Sequence, residues 1–209
     1  MSVLGVNHLL SGIVEPPAKS SPQPWKWSAE EYYKLGECGF FQGKRVELIR
    51  GEILEMSPIG WSHALATGLV AEVLARVFST SHFINEEKPL ALSGSSPGTE
   101  PQPDVAVVPG SRRNYASHPG TAALIVEVAD TTLAYDTTTK AELYATAGIL
   151  DYWVLDLEGK RLLIFRDPVQ LPAGLEASAY RKHISLGPTD TIAPLEAPNC
   201  DVTVSDLLP

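Results

Sequence analysis

Cysteine is scarce in this 209-residue chain. Cys38 and Cys200 stand near opposite ends, with no CxxC spacing and no histidine partner, which argues against a disulfide framework or a zinc knuckle and for two reduced thiols without a role. Long apolar runs are lacking too. None approaches the ~20 residues of a membrane helix, so no membrane partner is expected. Met1 to Val14 contain no Lys or Arg and lead to no small-residue cleavage pattern, so no secretory leader is expected and a cytoplasmic address follows by default. Positive charge is in short supply: 16 Lys and Arg face 25 Asp and Glu, leaving a net charge of −9. That balance argues against broad adhesion to nucleic acid through phosphate neutralisation; a nucleic-acid role needs local basic patches or bound cations. Repeats and low-complexity tracts are likewise missing.

What remains is the composition of a globular protein, 44% hydrophobic and 20% charged. Set against the ~150 residues of an average domain, the length favours one domain with extensions. Pro and Ser crowd residues 12 to 24 without apolar periodicity, which predicts an irregular arm over 1–24 and a single domain over 25–209. Ser28 and Glu31 have capping-box spacing before a short helix ended by Gly36 or Gly39. RVELIRGEILEM mirrors itself around Arg50-Gly51 and predicts a β-hairpin. Ser62 can cap a long helix over 63–78, where Leu65, Leu69, Val70, Val73, Leu74 and Val77 recur at helical spacing. Strands are expected over 83–92, closed by the loop SGSSPG, and over 104–108. The run AALIVEVA (122–129) is apolar on both faces except for Glu127, the mark of a central strand covered on both sides. A second helix over 137–147, capped by Asp136, Thr137 or Thr138 and ended by Gly148, precedes a hairpin turning at Glu158-Gly159. One or two strands and a terminal turn complete the chain.

A carboxylate in the middle of AALIVEVA loses several kcal/mol of hydration unless something compensates it, so Glu127 needs a partner. Strand alternation puts it on one face with Ile125 and Ala129. Asp104 opens the preceding strand. If the strands are neighbours, the two carboxylates converge at one end of the sheet, where their oxygens suit Mg²⁺. An equally open reading salt-bridges Glu127 to Lys140 or an arginine and leaves Asp104 capping a turn. Lys140 is oddly placed for structure, because the first turn of a helix prefers negative side chains. It serves a phosphate or pairs with Asp136 on a solvated face. Glu52, Glu55, Glu72, Glu86 and Glu87 read as solvated charge.

These residues resemble a known group. Pro101 and Pro103-Asp104, then IVEV at 125–128, Asp136, Lys140, Tyr144 and the DYWVLD run, together with RVELIRGEI ahead of a His-led helix, are similar to the Uma-two family of restriction-endonuclease-like proteins in the PD-(D/E)XK nuclease superfamily. The similarity runs in order over about residues 28 to 165. It implies an α/β fold, α+β with a mixed sheet: a restriction-endonuclease-like αβββαβ core with an added N-terminal β-hairpin and C-terminal strands. It also implies that Asp104 and Glu127 hold metal, with Glu47 of the ELI-GEI hairpin as an additional metal or water ligand. One position departs from the superfamily pattern. The lysine expected two residues after the glutamate is Ala129 here, and Lys140 would have to replace it. His63 and Tyr144 match family positions in second rank, the first as a hydrogen-bonded helix start and the second as a packing residue with a useful hydroxyl.

The implied activity is hydrolysis of phosphodiester bonds with Mg²⁺ or Mn²⁺ as cofactor and nucleic acid as partner, DNA in preference to RNA. The superfamily's habit of pairing makes a homodimer reasonable. Docking would fall to Lys44, Arg45 and Arg50, to Arg112 and Arg113, and to Lys160, Arg161 and Arg166. The competing reading, motivated by Ala129 and the acidic balance, is a catalytically inactive module that keeps the fold for binding or assembly. Hydrolysis of a smaller phosphate ester is a third.

Overall fold

The computed structural model describes residues 22–79, 81–92, 98–175 and 177–209. All but the last three residues of the expected arm, and most of the SGSSPG loop, lie outside them. The first element is helix α1 (Ala29–Glu37), and its capping box forms: the Glu31 amide donates to Ser28 Oγ and the Ser28 amide donates to the Glu31 carboxylate. Strands β1 (Val46–Ile49) and β2 (Glu52–Glu55) make the expected hairpin, with Arg50 and Gly51 both at positive φ, as a two-residue turn requires. Tyr32 of α1 packs with Val46 and Leu48 in a small core of its own.

Helix α2 (Trp61–Phe78) starts two residues earlier than expected. Gly60 is its N-cap and makes no side-chain capping bond, so Ser62 lies inside the first turn and caps nothing. Strand β3 is short (His82–Glu86) and does not reach Leu92. Glu87 takes a positive φ of 48° and Pro89 follows, which together turn the chain out of the sheet. Strands β4 (Val105–Pro109) and β5 (Leu124–Ala129) form as expected, and every residue of β5 is buried.

The second helix departs most from expectation. It begins at Leu133 as the turn α3 (Leu133–Tyr135), widens into a π-helical turn over Asp136–Lys140, and continues as α4 (Ala141–Thr146). The widening has a local cause. The hydroxyls of Thr137 and Thr138 donate to the carbonyls of Leu133 and Ala134, which an α-helix would reserve for the amides of those same threonines. Asp136, Thr137 and Thr138 therefore cap nothing. Gly148, at φ 78°, ends the segment as expected.

Strands β6 (Asp151–Asp156), β7 (Arg161–Gln170) and β8 (Ser178–Leu186) complete a six-stranded mixed sheet of order β3-β4-β5-β6-β7-β8. Only the β5–β6 pair is parallel, because the helical segment between them carries the chain back across one face. Short strands β9 (Thr191–Ile192) and β10 (Val202–Thr203) form a separate ribbon. Alternation divides the apolar residues: Val105, Val107, Leu124, Val126 and Val128 pack against α2, and Ala106, Val108, Ile125 and Ala129 pack toward α4.

The C-terminal segment is pinned by a buried ion pair. Asp151 is fully buried and accepts from Arg166 (2.7 and 3.0 Å), from the Trp153 indole (2.7 Å) and from the Leu195 amide (2.9 Å). Arg166 also donates to Ala193 O. Asp151→Ala strands a buried guanidinium and should cost about 3–5 kcal/mol, seen as a fall in the urea midpoint. Asp151→Leu combined with Arg166→Met should recover most of that loss; a double variant no more stable than the single one contradicts the explanation.

Candidate active site

The β4–β5 register pairs Val105 with Val126 and Ala106 with Ile125; one step further, Asp104 stands opposite Glu127. The backbone closes this end of the ladder through side chains. Asp104 Oδ2 accepts the Val128 amide at 2.7 Å, and Glu127 Oε2 accepts the Asp104 amide at 3.3 Å. His63, in the first turn of α2, reaches over from the other face and places Nε2 3.3 Å from Asp104 Oδ2.

Glu47 arrives from β1, and a glycine makes its approach possible. Gly98 holds φ +71° with its backbone against Trp27 O, so that any β-carbon would collide there, and it accepts the Gly51 amide at 2.8 Å. The segment after it bridges Leu48 through Glu100 and presents the Gln102 amide to Glu47 Oε2 at 3.2 Å. The hairpin is thus clamped to the segment that leads through Asp104 into β4.

Lys140 completes the cluster. Its ammonium lies 3.0 Å from Glu127 Oε1 and 3.3 Å from Glu47 Oε2, and only 2% of the residue is exposed. The Tyr144 hydroxyl donates to the same Glu127 oxygen at 2.7 Å. Asp136, Lys140 and Tyr144 follow one another at four-residue intervals and all are buried, so the pairing of Lys140 with Asp136 on a solvated face is not what forms. Every first-rank residue inferred from the sequence, Asp104, Glu127, Lys140 and Glu47, lines one pocket of about 80 Å³, together with His63. Tyr144 touches it only through Glu127.

Asp136 lines the pocket as well, its carboxylate accepting from Thr132 Oγ1 and its carbonyl accepting from the Tyr152 hydroxyl. Sequence reasoning gave it only a capping or pairing role, because nothing local distinguishes an acid that turns inward from one that caps. Of the cations proposed for docking, Lys44, Arg45, Arg50 and Arg161 are held by Glu55, Glu87, Glu142 and Asp156. Arg166 is buried on Asp151 and cannot serve at all.

Four buried carboxylates, Glu47, Asp104, Glu127 and Asp136, share this pocket with one buried ammonium, and their protonation follows from the imbalance. Burial, with Asp104 and Asp136 nearby, pushes Glu127 up to about 8 against the pull of Lys140. Burial also raises Asp136, opposed by Lys140 and Thr132. Burial alone would lower Lys140, but Glu127, Glu47, Asp136 and Asp104 together hold it above the ordinary lysine value. For Asp104 burial is outweighed by His63, the Val128 amide and Lys140, which keep it below the usual aspartate value. The Asp104 hydrogen bond raises His63 in turn.

The donor set suits a hard divalent cation on its own chemistry. The carboxylates of Glu47, Asp104, Glu127 and Asp136 face this pocket, hard oxygen ligands that favour Mg²⁺ or Mn²⁺ over softer metals. Glu47 Oε1 is buried without a hydrogen-bond partner, an acceptor that a cation or water would satisfy. Among the described residues no group of three or more His, Cys, Asp or Glu side chains is arranged to hold a metal ion by itself. An open set of one or two carboxylates, completed by water and phosphate oxygens, is how proteins ordinarily hold Mg²⁺, so the residues fit that ion.

A family model described as "Uma2: Putative restriction endonuclease" matches residues 29–204. Among solved structures, the chain is similar to one described as a "putative nuclease belonging to DUF820" from Anabaena variabilis ATCC 29413. The TM-score is 0.62 and the identity 14%, over 88% of this chain and 97% of that one. At that identity the likeness is one of fold, and it agrees with the mixed α/β, restriction-endonuclease-like architecture expected from the sequence. No curated protein matches.

Proposed function

The chain belongs to the Uma2 family of restriction-endonuclease-like proteins, and on that premise we propose that it is a metal-dependent endonuclease that hydrolyses phosphodiester bonds, of DNA in preference to RNA. The observation that carries the reading is the meeting of Asp104, Glu127 and Lys140, drawn from three separate elements, in one pocket lined by hard oxygen ligands. Asp104 and Glu127, with Glu47 and the Val128 carbonyl, would hold one or two Mg²⁺ or Mn²⁺. When bound there, the cation would supply polarisation of the phosphate and a lower pKa for the attacking water.

The chain's own residues do the rest. The Val128 amide and His63 fix the Asp104 carboxylate through Oδ2, and neither bond uses Oδ1. Tyr144 and Lys140 fix Glu127 through Oε1, which orients Oε2 toward Asp104. Lys140 would take the part of the superfamily lysine, since its ammonium lies 3.0 Å from Glu127 Oε1, where Ala129 has no polar group to offer. It stabilises negative charge on the phosphate as the attacking water loses a proton to solvent and its oxygen adds to phosphorus, one P–O bond to sugar breaks, and the departing oxygen takes a proton from solvent.

The test is cleavage of supercoiled DNA and of RNA by purified protein with Mg²⁺ or Mn²⁺ against a chelator control. Nicking that needs the metal supports the reading, and none under any of these conditions counts against it. The inert-module reading draws on a different observation, that Lys140 is fully engaged by two carboxylates. Calorimetry with Mn²⁺ separates them: heat of binding that Glu127→Gln removes belongs to a working metal site, and its absence to a scaffold. A homodimer, which would cut two strands, is checked by sedimentation.

A further inference from the structure

A second depression opens beside edge strand β3, lined by Phe83, Asn85, Lys88, Arg112, Tyr115 and His118 among others, with no Asp or Glu in its wall. In a chain with a net charge of −9, a pocket without acids calls for an explanation. The β3–β4 register accounts for the sorting: Phe83 and Asn85 pair with Val108 and Ala106 and share their face, so Glu86 falls on the opposite face with Ile84.

Its cations carry uncompensated charge. Among the described residues, Lys88, Arg112, Arg113, Lys160 and Lys182 are the lysines and arginines without an ion pair, and the first two line this depression. Arg112 is held in place by the Phe83 ring, 5.4 Å from its centroid, and by a hydrogen bond to Ile84 O, neither of which neutralises it. Asn85 supplies the second, independent sign. It is only 7% exposed, yet its Nδ2 donates to nothing, a burial that is costly unless an acceptor arrives.

The depression also adjoins the candidate active site. The Glu87 amide donates to Asp104 O at 3.1 Å, the Glu87 carboxylate meets Arg45 on the rim of the first pocket, and Lys88 is the next residue. We propose that this depression is a phosphate subsite, in which Asn85 Nδ2, Lys88 and Arg112 grip a backbone phosphate of the nucleic acid beside the bond to be cut. The proposal rests on the nuclease reading for its ligand, and its test keeps the two apart.

The full chain, ¹⁵N-labelled and in chelator so that nothing is cleaved, is titrated with a short single-stranded oligodeoxynucleotide and, separately, with inorganic phosphate at equal phosphate concentration. The reporter is the Asn85 side-chain amide, assigned from its loss in Asn85→Leu, a change that removes a buried donor without a partner and so should not unfold the protein. The oligonucleotide is expected to shift that resonance and free phosphate to shift it far less. In parallel, fluorescence anisotropy over a salt series should give Lys88→Ala and Arg112→Ala about tenfold weaker binding, with the log–log salt slope shallower by about 0.7 for each cation removed. An unmoved Asn85 amide, or slopes unchanged in both variants, overturns the proposal. A shift by free phosphate that the oligonucleotide does not reproduce overturns the backbone as its source. Cleavage assayed separately distinguishes the failures: Asn85-mediated binding without any metal-dependent cleavage sinks the nuclease reading alone, and cleavage with unaltered salt slopes sinks the subsite alone.

Discussion

Asp104→Asn should abolish metal-dependent cleavage, lowering the rate at least about a thousandfold, because the charge stabilisation of a phosphoryl group by a bound cation is worth several kcal/mol. Asparagine is the informative replacement. Its Oδ1 can still accept the Val128 amide that Asp104 takes at 2.7 Å, so the β4–β5 junction survives while the anionic ligand is lost. Asp104→Ala also stops cleavage, but it strips a buried amide of its acceptor at a cost of about 1–3 kcal/mol and so mixes chemistry with stability. Circular dichroism melting reports the fold, calorimetry with Mn²⁺ reports the metal, and a nicking assay reports the activity. Should the asparagine variant cut within tenfold of the original, Asp104 is no metal ligand and the mechanism given above is wrong.

Lys140→Met should have the second large effect, on activity and on stability together. The change removes the only ammonium among Glu47, Asp104, Glu127 and Asp136 while keeping most of the side-chain volume. Breaking a buried pair from one side costs about 3–5 kcal/mol, since the remaining charges are left without compensation. The loss depends on pH in a definite sense. Glu127 and Asp136 already have folded pKa values above their ordinary ones, so each contributes stability that is complete below the ordinary value and disappears as pH rises through the folded value, about 8 for Glu127. Without Lys140 both rise further. The gap between variant and original protein should therefore be small near pH 5, open as pH passes the original folded values, about 8 for Glu127, and be largest above that, measured by urea unfolding from about pH 5 to about pH 9 in chelator. A gap that stays constant over this range would mean that the carboxylates do not depend on Lys140. Cleavage should vanish in the same variant, whereas Mn²⁺, which can take over part of the lost positive charge, should still bind.

Much of this architecture can be read locally. Ser28 and Glu31 lie three residues apart and cap α1; Arg50-Gly51 sits between mirrored strands and turns β1 into β2; LIVEVA is apolar but for Glu127 and becomes a strand buried on both faces. The errors arose where a neighbour overruled the local signal. Residues 87–92 have strand character, but the positive φ of Glu87 and the proline two residues later take them out of the sheet. Thr137 and Thr138 look like caps, yet their hydroxyls compete for carbonyls inside a helix that starts earlier, and the competition widens the turn that carries Lys140.

A single buried glutamate announced from the linear order alone that some positive partner had to be nearby, because an isolated charge cannot stay ionised among valines and isoleucines. Which partner arrived was decided in three dimensions. Strand register set Asp104 across from Glu127, the parallel crossover returned Lys140 over the strand end, and the clamp at Gly98 brought in Glu47. The acid-free depression around Asn85 likewise exists only because pleating sends Glu86 to the other face. Periodicity and capping act within a few residues and are written into the chain, whereas convergence depends on how distant segments pack, and only the folded sheet holds that information.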